Sequence, residues 1–328
     1  MTFSELIAVY LFLGGTAAGA FVVLAASDVY RALRQPGRPG GPAGCARAPF
    51  RTRSANNADY ASNACAVRSI PRIAPAVRAR IGAVGYGSSF VLLAVGLLCL
   101  LADLGRPAAF YLLFTSPTLS LISVGTFALT VFFLCAGIAL ADAVLTLGPR
   151  WGRLALAAKI VGVPVAVVVM IYTGLLLQSV VAVRMWQSSW LPVLFLASAL
   201  SCGCGIALIA AAACEDQRAL RRWSRAVVRV DLALIGAEVV AAVAFVASIT
   251  AAGDPSVLQG ILEGSHAVLF WVGFVGCGIA APLVAELAAL VVRIEPSAGA
   301  VAAIAVLVLV GGLCLRLVLV AAGAQPAM

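Results

Sequence analysis

The stretch DLGRPAAFY at 103–111 puts an acid, Asp103, three residues from a base, Arg106, at the mouth of a long apolar run. At that spacing the two side chains pair on one helix face, and the intervening Gly and following Pro stop the helix. The pair is therefore either a neutralised helix stop or a place where a membrane-dissolved molecule meets water. Two phenols share its depth. Tyr10 lies four residues inside the apolar run that begins at Leu6, about 6 Å down at 1.5 Å per residue. Tyr172 lies five residues short of Leu177, roughly 7–8 Å down. Each alone is also what an interfacial aromatic looks like. Depth does not say that they face each other.

A second set of ionisable groups sits deeper. Glu238 falls within an apolar run, where a charge is expensive and functional by default. Asp231, Lys159, Asp142 and Glu286 lie nearer the ends of their runs. With Glu238 and Asp231 at its head and Lys159 included, this set is a candidate proton path; snorkelling or local pairing is the alternative. Pro164 sits inside the run that ends with Tyr172, where it removes a backbone donor and bends the helix, opening a wedge.

What holds these groups in place is a membrane chain. Hydrophobic residues make up 63% of it and charged ones 11%, with a mean hydropathy of +1.10, which excludes an ordinary soluble domain. A helix needs about 20 apolar residues to cross a bilayer core. Eight runs meet that length: 6–26, 81–102, 119–141, 154–177, 191–214, 232–250, 267–290 and 298–315. Being continuously apolar rather than alternating, they predict helices and not barrel strands. The expected fold is an all-α integral membrane protein of eight transmembrane helices in two four-helix bundles. Residues 1–178 form the first bundle and 179–328 the second, with an Arg-rich loop over 34–78 and no internal repeat.

Charge sets the expected orientation. If both termini lie outside, the inner loops and helix ends hold 19 of the 22 basic residues, leaving Arg106, Arg184 and Arg316 outside. The positive-inside rule then puts both termini on the outer, extracytoplasmic side of the cell membrane. The net charge of +9 accordingly marks a cytoplasmic membrane face and no nucleic-acid site. The N-terminus carries Glu5 and no basic residue before Leu6, so no cleavable signal peptide is expected.

Metal and haem chemistry is narrow. The single histidine, His266, cannot supply the two axial ligands of a membrane b-type haem and is read as structural or interfacial. The nine cysteines contain no C-x-x-C, and Cys202-Gly-Cys204 has the wrong spacing for a zinc or iron–sulfur site. We expect no haem and no iron–sulfur cluster in this chain. Small residues from Gly14 to Gly19, and Gly273, Gly276 and Gly278, are expected to pack helices closely.

The stretches YLFLGGTAAGAF (10–21), DLGRPAAFY (103–111), YTGLLLQ (172–178), WLPVLFLASALSCG (190–203) and RLVLVAAGAQ (316–325) together resemble the membrane subunits of the NrfD/PsrC-type polysulfide reductase family, and more loosely the membrane anchors of dimethyl sulfoxide reductase-like enzymes. The likeness covers all eight spans in order. It implies a quinone or quinol pocket toward the outer face among the first four helices. It further implies an iron–sulfur, ferredoxin-like electron-transfer partner and a molybdopterin-type catalytic partner. Carried over by motif, Tyr10, Tyr172 and Gly174 correspond to quinone-binding positions. Tyr10 departs from relatives that carry histidine there, which makes Asp103, beside Arg106, the better proton acceptor, since a phenol with a pKa near 10 is a poor one. The Arg-rich loop is longer than the family usually has. The function expected is a membrane anchor passing electrons between the quinone pool and a peripheral iron–sulfur subunit. A secondary transporter or proton conductor without a redox role is the alternative, and a passive anchor a third.

Overall fold

A computed structural model describes residues 5–34, 75–103, 121–145, 148–180, 183–214, 217–251, 262, 264, 266–291 and 297–324. Arg106 and most of the Arg-rich loop lie outside the described residues. Among the described residues, eight helices are long and apolar enough to cross a membrane. They are α1 (Glu5–Arg34), α2 (Pro75–Asp103), α3 (Leu121–Val144), α4 (Pro149–Gln178), α5 (Leu191–Ala212), α6 (Gln217–Ala251), α7 (Leu269–Val291) and α8 (Ala298–Ala324). In lipid every backbone N–H and C=O must be satisfied within the segment, so a continuously apolar run becomes a helix. No strand occurs among the described residues.

Helix α1 packs on α2, α4, α5 and α8, while α5 packs on α1, α2, α4, α6 and α8. These two are the buried centre: 78% of the apolar window of α5 and 61% of that of α1 are buried, against 22% for α7. The GGTAAG stretch explains the α1–α5 seam. A methyl group on Gly19 would overlap the Ala199 carbonyl, and one on Gly203 would overlap the Gly19 backbone. Only two glycines let the helices cross so closely. Gly273 against Cys314 and Gly278 against Gly311 join α7 to α8 in the same way.

Two local features stand out. The first part of α7, Leu269–Ala280, is a π-helix, and the Ala281 N–H donates to the Gly276 carbonyl five residues back. Pro282, which has no N–H to give, stands where the π-helix yields to the α-helix Ala281–Val291. Between α4 and α5 a 3₁₀ turn, Arg184–Gln187, buries Trp186, whose Nε1 donates to the Leu319 carbonyl of α8 at 2.9 Å. The start of α1, the end of α4, the start of α5 and the end of α8 thus share one end, called the terminal end below. The opposite, basic end carries Arg31, Arg78, Arg150, Arg153 and Arg225.

One expectation needs correction. Ending the last apolar run at Leu315 places Arg316 at a surface. Instead α8 continues to Ala324, nine residues further, and Arg316 is fully buried. It is an intramembrane cation and tells nothing about orientation.

Candidate functional site

At the terminal end one residue from each of the first four helices meets its neighbours. Tyr10 of α1 is 1% exposed, and its ring lies against Gly96 of α2, where an added methyl group would stand 3.7 Å from Cδ2. Tyr172 of α4 is also buried, and a methyl group on Gly125 of α3 would overlap its ring. The two phenols are neighbours. The Tyr10 hydroxyl has no hydrogen-bond partner among the described residues. A buried, unsatisfied hydroxyl costs free energy unless something fills its bond, so this one calls for a ligand atom or a water.

Asp103 is the last residue of α2 and is half-buried. It follows Gly96 by seven residues, two helical turns, so it stands on the α2 face that meets Tyr10. It lies about 10.5 Å nearer the terminal end, however, and not at the depth of the phenols that the sequence suggests. Gly174, two residues after Tyr172, abuts the backbone of Pro192 at the start of α5, so its lack of a side chain serves helix contact.

The deeper charges form two separate groups. In the first, Arg316 of α8 donates from Nη1 to Ser198 Oγ at 3.1 Å and to the Gly312 carbonyl at 2.7 Å. Its guanidinium stacks over Phe195 at 5.2 Å and Phe12 at 5.8 Å. Glu238 of α6 approaches Ser198 and Arg316. Asp231, seven residues earlier on the same face of α6, approaches Ser201 of α5 and Glu286 of α7. None of the carboxyl oxygens of Asp231 and Glu286, nor the Ser201 hydroxyl, has a hydrogen-bond partner among the described residues. All five of these polar residues, with Arg316, are at most 4% exposed.

Lys159 belongs to the second group. It bridges Asp28 Oδ2 at 3.1 Å and Asp142 Oδ2 at 3.0 Å at the basic end of α1–α4, and Tyr86 donates to Asp28 at 2.9 Å. The structure therefore joins Glu238, Asp231 and Glu286, and joins Lys159 to Asp142, without uniting the two sets. Asp28, Tyr86, Ser198 and Ser201 are polar residues of these groups that sequence pattern alone does not single out, and Arg316 joins them from the surface position its charge suggests. For Asp28 a signal existed: it follows Tyr10 by 18 residues, five full turns, on the same face of α1.

A family model described as "Polysulphide reductase, NrfD" matches residues 64–327, which is most of the chain. The chain belongs to the NrfD polysulphide reductase family. Among curated relatives, Protein NrfD of Escherichia coli strain K12 is 29% identical over 212 residues, 58% of this chain. The match covers 66% of that relative's length, just under two thirds. NrfD-family proteins are generally quinone-interacting membrane anchors of oxidoreductase complexes, usually with iron–sulfur and molybdopterin subunits.

Proposed function

We propose that this chain is the quinone-interacting membrane subunit of a multisubunit oxidoreductase, exchanging electrons with an iron–sulfur, ferredoxin-like partner that serves a molybdopterin-type catalytic subunit. The observation that carries the reading is the buried Tyr10 hydroxyl, without a hydrogen-bond partner among the described residues, beside Tyr172 where α1, α2, α3 and α4 converge. These residues suit a quinone headgroup in that they offer two phenol donors at the terminal end. A bound quinol supplies two electrons and two protons. Tyr10 and Tyr172 donate hydrogen bonds that orient its two oxygens, and Gly125 leaves room for the Tyr172 ring. Asp103 accepts protons near the terminal surface. In this reading residues 1–178 are the redox bundle and 179–328 a second bundle. The basic end faces the cytoplasm, as the positive-inside rule requires.

The second bundle has its own part in the proposal. Asp231 and Glu286, which approach each other, are compatible with burial when they share a proton. Glu238 continues the line toward Arg316, and the set serves as a proton path. Lys159 serves the basic mouth of α1–α4 instead. The same buried line is what favours the second reading, an ion or proton transporter without redox chemistry.

Turnover of the purified complex with a soluble quinol decides between them. Removing one hydrogen bond of about 1–1.5 kcal/mol predicts roughly a tenfold loss for Tyr172→Phe, and a similar one for Tyr10→Phe. Unchanged turnover in both variants, with partners still bound, would contradict the redox reading.

A further inference from the structure

At the basic end of α1–α4 lies a cavity of about 470 Å³ that the redox reading does not use. Along α1, Asp28 in its wall is 18 residues, about 27 Å, from Tyr10. Its charges are unevenly matched. Lys159 is committed to Asp28 and Asp142, and Asp28 also accepts from Tyr86 and faces Arg31 Nη2 at 3.5 Å. Arg31 and Arg78 both line the cavity and are near enough for their charges to repel. Three cations, Lys159, Arg31 and Arg78, stand against two carboxylates, Asp28 and Asp142. One positive charge is left over among the described residues of the lining.

The Arg31 guanidinium is held in place. Its Nε donates to the Ser27 carbonyl at 2.9 Å, its Nη2 to Ser27 Oγ at 2.7 Å, and Trp223 lies 5.4 Å from its carbon centre. Arg78, by contrast, is exposed and adjustable. Each is three residues from its helix end, Arg34 or Pro75, about 4.5 Å along the axis, the level where a leaflet's headgroups lie. Two adjacent guanidinium groups on a polar cavity are best offset by an oxyanion that accepts from both.

We propose that this cavity binds a phosphate oxyanion between Arg31 and Arg78. A phosphodiester carries one negative charge, matching the one left over, so the headgroup of an anionic phospholipid fits best. Inorganic phosphate offers the same chemistry from solution. Occupancy ties α1 to α2 at their basic ends.

The test is thermal unfolding of the purified, delipidated protein, titrated separately with phosphatidylglycerol, phosphatidylcholine and inorganic phosphate. Wild type and Arg78→Gln are compared, with native mass spectrometry counting retained lipids. Because Arg78 is exposed, the variant keeps the fold. Phosphatidylglycerol should raise the unfolding temperature of wild type by several degrees and that of Arg78→Gln by less than half as much. One anionic lipid should be retained by wild type alone. A shift with inorganic phosphate that Arg78→Gln lacks also supports the oxyanion site and assigns it to the free ion. Equal shifts in both proteins, an equal shift with phosphatidylcholine, or no shift in wild type with either phosphate source would overturn the proposal.

Discussion

Helices α1–α4 place their polar groups at the two ends, and α5–α8 place theirs within the spans. In the first set the hydroxyls of Tyr10 and Tyr172 gather at the terminal end and the ions Asp28, Asp142 and Lys159 at the basic end. In the second set the ions lie within the spans, from Glu286 and Asp231 through Glu238 to Arg316. The terminal end of that set is instead a small apolar cavity lined by Leu194, Phe245, Phe270, Phe274, Leu315 and Leu319. Both sets are built around a central helix, α1 or α5, and those two helices touch at Gly19 and Gly203. Similar packing therefore holds different chemistry. A neutral two-electron carrier needs hydrogen-bond donors near a surface and few charges. Ion movement needs ionisable groups through the bilayer's depth, where each isolated charge costs roughly 3 kcal/mol at a span's centre.

The contrast can be broken most severely at Arg316. Arg316→Ala removes charged hydrogen bonds to Ser198 and Gly312 and leaves Glu238 without its neighbouring cation. The expected loss is about 3 kcal/mol of stability, read as a lower unfolding midpoint in detergent. Arg316→Lys should recover only part of it, because an ammonium cannot reproduce the guanidinium fork. Gly125→Ala comes next. It adds helix propensity, about 1 kcal/mol in α3, yet pushes the Tyr172 ring away from its place. Quinol turnover should fall about tenfold while the complex stays assembled, a split that a general packing defect would not produce. Asp103→Asn should lower turnover several-fold, on the order of 1 kcal/mol of barrier, with partners still bound. Glu238→Gln has the smallest effect on chemistry. Turnover in detergent should stay within about twofold, while proton movement coupled to turnover in proteoliposomes is lost. If turnover collapses as well, the two sets of helices do not divide the labour as argued.

How much of this could be read from the chain depends on what each feature requires. The eight spans were legible because continuous apolarity leaves the backbone no other structure in lipid. The shared level of Tyr10 and Tyr172 was legible as well, since rise per residue converts position into depth. That Gly96 and Gly125 seat those rings was not, because an isolated glycine in a helix says nothing of which neighbour it admits. The Gly14–Gly19 stripe announced close packing but not that α5 would be the partner, which Gly203 decides. Arg316 was misplaced because a charge looks like the end of an apolar run. Here two phenylalanine faces, a serine and a carbonyl hold the charge inside. Lys159 joined Glu238 on paper because both are ionisable and near membrane depth; its actual partners, Asp28 and Asp142, come from α1 and α3 through tertiary packing.

The central claim, that a quinone headgroup docks among α1–α4 at the terminal end, is tested most directly by photolabelling the purified protein with an azido-quinone and mapping the label by mass spectrometry. The account predicts label on peptides containing Tyr10 or Tyr172, competed by unmodified quinone and reduced in Gly125→Ala. Competable label confined to α5–α8, with none on α1 or α4, would contradict it.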